Sequence, residues 1–363
     1  MRKVMTVESL EALLGTPPQA VRMKSTNTLD DGCRRVLATA PVAGFGFRDR
    51  EGVPRATIVG GAPGFVRVDS PTRVSVELRA DLAGPARGGG VSSVFMLPGI
   101  GETFRLNGFV AERSGASVVI DLEEAMVHCA KCTLRSGLWE EIRADLAAPS
   151  VEPPASPDVG ASGPLADASV ATFLASSPFV FLSSWGAGGS SDTSPKGDRP
   201  GFMRILDGHT LAIPDRKGNQ RTDTFHNVLT CDQIALAAVI PGRGDVLHMS
   251  GTASVTDDPA LLSTMGVKEG EKPPKAAMIV RVERAAVAAN DAVLTMWDRS
   301  ARVDRSQVPD LMHLGAKHVA SNKARGVVAS ITRALSGGLA ASPKLVRRAM
   351  DFGYRKELED EGY

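Results

Sequence analysis

The sequence predicts a mainly β protein of the α+β class, in which two antiparallel barrels lie in tandem and helices follow the second barrel. Short strand-like runs separated by Gly or Pro fill most of the chain, and several of them alternate polar and apolar residues as half-buried strands do. A length of 363 residues suits two domains better than one core. The third observation is an internal repeat of short motifs.

The repeat relates the two halves of the chain. Pro63–Arg67 recurs as Pro200–Arg204, and Leu97–Glu102 recurs as Ile240–Asp245. The offset grows from 137 to 143 residues between these motifs, so the second copy carries six extra residues. They fall in or beside the polar segment 214–224.

The motifs whose residues suit ligand binding or catalysis are shared unequally between the two copies of the repeat. The polar segment 214–224 has only a short counterpart in the first copy, within residues 77–90. The first copy ends in His128–Trp139, whose counterpart Asn290–Trp297 has no matching His, Cys or Lys. Each half therefore resembles half of one site.

Punctuation by Pro, Gly and Ser predicts four segments: 1–146, a first barrel with a helical leader; 147–163, an exposed linker; 164–305, a second barrel; and 306–363, a helical extension. Apolar spacing predicts leader helices over 8–14 and 29–39, the second begun by Asp30-Asp31. The predicted strands are 56–59, 65–68, 74–78, 92–97, 103–110 and 117–120 in the first half, and 179–183, 201–206, 210–213, 234–240, 246–253 and 277–282 in the second. Helices are expected at 168–175, 222–229 and 259–265, a hairpin connection at 186–189, a tight turn beside 194–198, and a break in the C-terminal helices at 336–338.

Composition excludes several classes of protein. A net charge of +1 gives no general attraction to nucleic acid or to an anionic membrane. No apolar run of about 18 residues is present to span a bilayer, and the start lacks the apolar core of a signal peptide. Four cysteines are too few for a disulfide scaffold, so a reducing cytoplasm is expected.

The strongest local candidate for chemistry is the segment 215–227. A predicted strand runs into a turn that delivers Arg216, Lys217 and Arg221 with the hydroxyl of Thr222. Such a cluster offers charge-assisted donors to a phosphate, and a following helix adds free N–H groups. The alternative is a solvated hairpin turn. A P-loop is excluded, because its Gly and Lys spacing is missing.

The second candidate is His128–Trp139. The Cys129-x-x-Cys132 pair admits a zinc or dithiol function, but it lacks a second Cys pair and a suitable His spacing, so buried cysteines are favoured. In a helix, His128, Lys131, Arg135 and Trp139 would share one face and present cations and a ring to an anionic planar ligand. The alternative is a salt-bridged helix with Trp139 in the core.

These residues carry a resemblance to a known family. The stretch 170–282 resembles the pyridoxamine 5′-phosphate oxidase-like, FMN-binding split β-barrel family, and residues 6–145 resemble it again. The motifs concerned are Ser194–Asp198, Pro200–Phe202, Ile213–Arg216, Gly218–Thr224, Asn227 and Ile240–Gly244 in the second copy, and Thr6–Leu10, Cys33–Ala38, His128–Lys131 and Arg135–Trp139 in the first. Members of this family are typically homodimers with FMN at the subunit interface.

The resemblance explains why the site motifs are divided unequally between the two halves of the chain. It implies a fused pseudo-dimer with one flavin site shared by both halves and one degenerate site. The residues implied to bind FMN are Lys196, Arg216, Lys217, Arg221 and Thr222 of the second half, and His128, Lys131, Arg135 and Trp139 of the first. No metal is implied.

The function implied is that of an FMN-dependent oxidoreductase acting on a small molecule that the sequence does not identify. The cofactor supplies the redox chemistry, and no independent catalytic apparatus is evident; His128 is a candidate proton donor, or equally a group that orients the ligand. The alternatives are a relative that binds haem or a deazaflavin, and a non-catalytic flavin-binding or assembly protein. The expected state is a monomeric pseudo-dimer, and the C-terminal helices leave open its association into a larger oligomer.

Overall fold

The computed structural model describes residues 2–78, 84–140, 162–266, 272–340 and 343–363. In these ranges the chain is mainly β, with two antiparallel sheets and a helical C-terminal part, as the sequence predicts. Most of the linker 147–163 and part of the segment 77–90 lie outside the described residues.

The first half begins with a leader and continues as one sheet. The leader contains β1 (Lys3–Val4), α1 (Val7–Leu14), α2 (Gln19–Met23) and α3 (Asp31–Thr39). The sheet contains β2 (Val42–Arg48), β3 (Pro54–Gly60), β4 (Val66–Ser70), β5 (Arg73–Glu77), β6 (Gly90–Met96), β7 (Thr103–Ser114) and β8 (Ser117–His128), and α4 (Lys131–Arg135) follows it. The strand order of this first barrel is β3-β2-β6-β7-β8-β5-β4.

The second half forms the other sheet. Its elements are α5 (Ala168–Ser176), β9 (Phe179–Trp185), β10 (Ser191–Gly197), β11 (Arg204–Ile205), β12 (Thr210–Pro214), α6 (Asp223–Thr230), β13 (Gln233–Val239), β14 (Asp245–Thr256), α7 (Pro259–Leu262), β15 (Ala277–Ala289) and α8 (Asp291–Trp297). The strand order of this second barrel is β10-β9-β13-β14-β15-β12-β11, which repeats the order of the first barrel strand for strand.

The two barrels pack on each other through apolar side chains. Each barrel has its own buried cluster, and a further cluster joins Ile58 and Val94 of the first barrel to Phe181, Ala237 and Val239 of the second. All five of these side chains are almost fully buried, so this cluster excludes water from the middle of the contact.

The ends of the chain cross between the barrels. Strand β1 pairs with β14, and Leu10 and Leu14 of α1 lie in the core of the second barrel, although they precede the first barrel in sequence. Conversely, Leu311 and Leu314 pack into the core of the first barrel. They belong to α9 (Leu311–Ser321), which comes after the second barrel.

Two further helices complete the C-terminal part, α10 (Val327–Ala340) and α11 (Pro343–Asp360). The predicted break at 336–338 is wrong, because α10 runs through Gly337 and Gly338, where a side chain would meet open space. In the described ranges, none of the helices is both long and apolar enough to cross a membrane.

Two strands correct the sequence interpretation. Strand β2 was not expected, and neither was β10, whose end is formed by residues 194–197, directly before the turn at 199–201. Strand β10 pairs only with β9 and lies at the edge of its sheet, where Pro195 needs no N–H for a ladder bond. The edge position therefore explains how a strand contains this proline.

Candidate functional site

A cavity of about 90 Å³ lies where the two barrels meet, and both halves of the chain line it. His128, Lys131 and Arg135 come from the first barrel. Lys196, Arg216, Arg221 and Thr222 come from the second. The structure thus brings together most of the residues that the sequence predicted to share one site.

The first barrel places its residues on a strand end and one short helix. His128 ends β8, and α4 covers only Lys131–Arg135, so the predicted single helical face from 128 to 139 is wrong. The Thr133 hydroxyl donates to Gly101 O at 2.7 Å and fixes α4 against the turn before β7. Lys131 and Arg135 nevertheless share a face, because four residues separate them.

Trp139 lies outside this cavity. Its indole N–H donates to Ile100 O at 2.7 Å, and its ring lies 6.3 Å from that of Trp297 in the second barrel. Lys217 is also absent from the lining, but its carbonyl accepts a bond of 2.9 Å from Arg135. Trp139 therefore contributes to the contact between barrels.

Two buried polar atoms at the cavity have no partner among the described residues. His128 is 8% exposed and its Nε2 is unpaired, and Thr224 is 2% exposed with an unpaired hydroxyl. Burial, with the nearby Arg105, holds the pKa of His128 well below its ordinary value, so the imidazole is neutral. Buried polar groups are rarely left unpaired, so these atoms indicate a place for a polar ligand.

The cations of the second barrel differ in what they contact. Lys196 points its ammonium at the Phe225 ring, 5.4 Å from the centroid. Arg216 donates to Asp198 at 2.5 Å and to Met265 O at 3.0 Å. Lys196 is thus the more available cation, while Arg216 is oriented by its carboxylate.

Arg221 and Thr222 lie on the loop before α6. The Arg221 guanidinium bonds to Glu124 at 2.9 Å and to Asp223 at 2.8 Å, and the Thr222 hydroxyl donates to the Arg221 carbonyl at 2.7 Å. Gln220 and Thr222 have φ values of 59° and 55°, a left-handed conformation that non-glycine residues seldom adopt. Such strain concentrates at functional sites.

A buried ionic cluster beside the cavity was missed from the sequence. Arg105, 1% exposed, contacts Asp223 at 2.7 Å, Glu124 at 2.9 Å and Asp192 at 3.2 Å. The carboxylates hold the guanidinium charged despite its burial, and Arg105 in turn lowers the pKa of Glu124 and Asp223. The sequence feature that indicated this cluster is Arg105 itself, a charged residue between the apolar residues Phe104 and Leu106 of β7.

Two larger cavities adjoin the small one. One of about 870 Å³ shares Arg221 with it and is lined mainly by polar residues, including Asn107, Glu123 and Asp192. The other, of about 700 Å³, shares five of its residues with the small cavity and adds more cations. The shared residues are Lys196, Arg216, Gly218, Asn219 and Thr222. The space around the loop before α6 is therefore much larger than 90 Å³.

Among the described residues, neither Cys129 nor Cys132 belongs to a group of three or more potential metal ligands. Cys129 and Cys132 are free thiols, and burial raises the pKa of Cys132 to about 12. Elsewhere in the described chain, Asp30, Cys33 and His318 lie together: Asp30 caps α3 through the Cys33 N–H and contacts His318 Nε2 at 3.2 Å. Burial raises the pKa of the Cys33 thiol, which keeps it protonated, so this group links α3 to α9.

Comparison with known proteins bears on the second barrel. Residues 166–289 match the model of the pyridoxamine 5′-phosphate oxidase family. The match covers that barrel alone. No curated protein sequence matches this chain.

Solved structures similar to this chain each cover about a third of it. HupZ of Group A Streptococcus is 22% identical over 32% of this chain and 92% of its own, with a TM-score of 0.27. A putative pyridoxamine 5′-phosphate oxidase of Lactobacillus delbrueckii is 21% identical over 30% and 83%, with a TM-score of 0.24. HutZ, a heme storage protein of Vibrio cholerae, is 11% identical over 33% and 92%, with a TM-score of 0.25.

Proposed function

We propose that this protein is an FMN-dependent oxidoreductase of the pyridoxamine 5′-phosphate oxidase type, with one flavin site shared by its two barrels and a small polar molecule as substrate. The observation that carries the proposal is the cavity between the barrels. Cations of both halves line it, and the unpaired atoms of His128 and Thr224 lie buried there.

The residues present fit an anionic, polar cofactor. Lys196 and Arg216 would bind the phosphate from the second barrel, with Lys217 beside them, because charge-assisted bonds are the strongest that a phosphate can accept. The unpaired His128 Nε2 and Thr224 hydroxyl would bind polar atoms of the remainder. FMN, when bound, supplies hydride or electron transfer.

Arg221 has a positioning role in this proposal. Its guanidinium is held by Glu124 of the first barrel and Asp223 of the second, so it ties the loop before α6 to strand β8. This arrangement would fix the spacing of the two cation groups on either side of the cofactor. Thr222 would serve the same end by closing the turn onto the Arg221 carbonyl.

The cavity of about 870 Å³ would receive the substrate. It falls within the range of typical ligand pockets, roughly 300–1,000 Å³, and its lining is polar. Glu123 and Asp192 would favour a substrate with hydroxyl or amino groups over a purely apolar one. Neutral His128 would accept a proton at Nε2, or donate one if that nitrogen carries the hydrogen.

The test compares FMN with riboflavin, which lacks the phosphate, in the variant Lys196→Ala/Arg216→Ala. We expect each lost charge-assisted bond to weaken FMN binding by roughly tenfold to a hundredfold and to affect riboflavin much less. Arg55→Ala, on the opposite side of the barrel contact, is the matched control and should bind FMN as the wild type does. Titration calorimetry gives the affinities.

The amount of flavin released from saturated protein supplies a second measure. One FMN per chain supports the single shared site. A ratio near two would show that the opposite side also binds flavin, and equal losses of FMN and riboflavin would remove the phosphate assignment.

Haem is the second candidate ligand, favoured by one observation. The unpaired Nε2 of buried His128 is the type of atom that ligates haem iron. The absorbance spectrum of protein incubated with both compounds separates the candidates. A Soret band that disappears in His128→Ala supports haem, and flavin bands support the main proposal.

A further inference from the structure

The last turn of α11 and the three residues after it lie across α4. Glu357 forms an ion pair with Lys131, and Glu361 bonds to Arg135 at 2.9 Å. Lys131 and Arg135 are four residues apart, and so are the two glutamates, so the charges of the two segments match in register. We call residues 357–363 the acidic arm.

Tyr363 extends these contacts to the second barrel. Its ring lies 5.8 Å from the Arg135 guanidinium carbon and 5.4 Å from that of Arg199. Its hydroxyl donates to Asp198 at 2.7 Å, and Asp198 is the carboxylate that orients Arg216. The acidic arm thus contacts cationic groups of both barrels.

The arm also forms part of the wall of the cavity of about 700 Å³. Five cations line that cavity: Lys196, Arg216, Lys217, Lys272 and Lys275. Asp360, Glu361 and Tyr363 lie on the same wall. Carboxylates of the arm therefore stand where the proposed cofactor would bring its phosphate charge.

Helix α11 is anchored ahead of the acidic arm by Arg347 and Tyr354. Arg347, near the start of the described side chains of α11, bonds to Glu102 at 2.5 Å and to Asp310 at 2.8 Å. Tyr354 is 5% exposed and accepts a bond from the Ala130 N–H at 3.4 Å. Beyond Tyr354, the contacts of Glu357 and Glu361 are ion pairs, which another anion can replace.

The space at the site is consistent with a competing occupant. The cavity that His128 and Lys131 line measures about 90 Å³, well below the roughly 300 Å³ of a small ligand pocket. The ion pairs with Glu357 and Glu361 hold Lys131 and Arg135 at the wall of this small cavity.

We propose that the acidic arm is an internal substitute for the cofactor phosphate, which pairs with the site cations in the empty protein and is displaced when FMN binds. This inference rests on the proposed function. It predicts that the arm lowers the affinity for FMN, because Glu357 and Glu361 pair with Lys131 and Arg135 and Glu361 also lines the cavity of Lys196 and Arg216.

The experiment uses the full chain with Glu357→Gln/Glu361→Gln. We expect FMN to bind on the order of tenfold more tightly than to the wild type, since two competing charges are removed. Riboflavin should gain less. Glu359→Gln, an exposed acidic position of the same helix, is the matched control and should leave the FMN affinity unchanged.

Hydrogen exchange gives a readout that does not depend on affinity. Saturating FMN should accelerate exchange in residues 355–363 of the wild type and leave exchange in α9 unchanged. Unchanged or slower exchange in the arm would show that it stays in place, and would overturn its displacement.

The outcomes separate the two proposals. If neither the wild type nor the variants bind FMN, the proposed function fails and this inference fails with it. If FMN binds with equal affinity to the wild type and to Glu357→Gln/Glu361→Gln, the proposed function stands and the competition is refuted. Weaker binding by the double variant would show instead that the arm completes the site.

Discussion

The contact between the barrels has two sides, which are formed by corresponding strands of the two sheets but carry charges of opposite sign. On the proposed site's side, Arg105 is surrounded by Asp192 and Glu124. On the opposite side, the residues at the corresponding strand positions are His248, Arg55 and Arg284, respectively. A cavity of about 470 Å³ is present there too.

The helices after β8 and β15 extend this difference. Helix α4 supplies Lys131 and Arg135, whereas α8, with the sequence DAVLTMW, supplies no basic residue. His128 corresponds in the ladder to Ala288. The comparison teaches that a shared strand order fixes where a cleft forms, while a few side chains decide which charges line it.

The largest expected effect comes from Arg105. Arg105→Ala removes the buried cation from Asp192 and leaves Glu124 and Asp223 paired with Arg221 alone, which should lower the free energy of unfolding by about 3–5 kcal/mol. His248→Ala at the corresponding rung removes one bond, to Ala56 O at 2.8 Å, and should cost only about 1 kcal/mol. Urea denaturation measures both, and equal losses would contradict the asymmetry.

An intermediate effect is expected at the ends of the edge strands. A Cβ on Gly197 would collide with the Cys132 carbonyl of the other barrel, whereas on the corresponding Gly60 it would lie 2.6 Å from Pro41 O of the same barrel. Each Gly→Ala change should cost about 1–3 kcal/mol of stability.

The FMN affinity distinguishes these two glycine variants. Gly197→Ala should weaken FMN binding because it pushes α4 away from β10, and Gly60→Ala should not. Calorimetric titration of the two variants at a temperature where both are folded checks this. Equal FMN affinities would show that the spacing of α4 and β10 does not control the site.

The smallest effect concerns pH. The folded pKa of His128 lies below its ordinary 6.5, so the unfolded chain binds the proton more readily. Stability should therefore fall as the pH drops below about 6.5, by at most about 1.4 kcal/mol per pH unit from this group. His128→Gln should remove that part of the slope.

His248 provides the comparison for the pH series. Burial also lowers its pKa, but its bond to Ala56 opposes the shift. His248→Gln should therefore flatten the pH dependence less than His128→Gln does. Urea denaturation at a series of pH values gives the slopes, and a larger change for His248→Gln would contradict the assignment.

Local patterns were enough to predict the class of fold. Strands with alternating residues, such as Thr103–Val110, lie within observed strands, and the helix expected over 222–229 is α6. These predictions succeeded because periodicity and turn residues act over short distances.

The features that the sequence did not predict depend on distant partners. Strand β10 contains Pro195 because it lies at an edge, and the edge is set by the whole strand order. The pairing of Arg105 with Asp223 joins residues 118 positions apart. The contact of Glu361 with Arg135 spans 226 positions, so no local pattern in the sequence indicates it.

The crossed ends of the chain impose an order on its folding. Strand β1 is synthesised well before β14, the strand with which Lys3 and Val4 pair. At about 5–20 residues per second, β1 and α1 wait on the order of ten to fifty seconds on the ribosome for their partner. During that interval Leu10 and Leu14 have no core to enter. The docking of β1 and α1 is therefore a late folding event, because these elements pack only on a second barrel that has already formed.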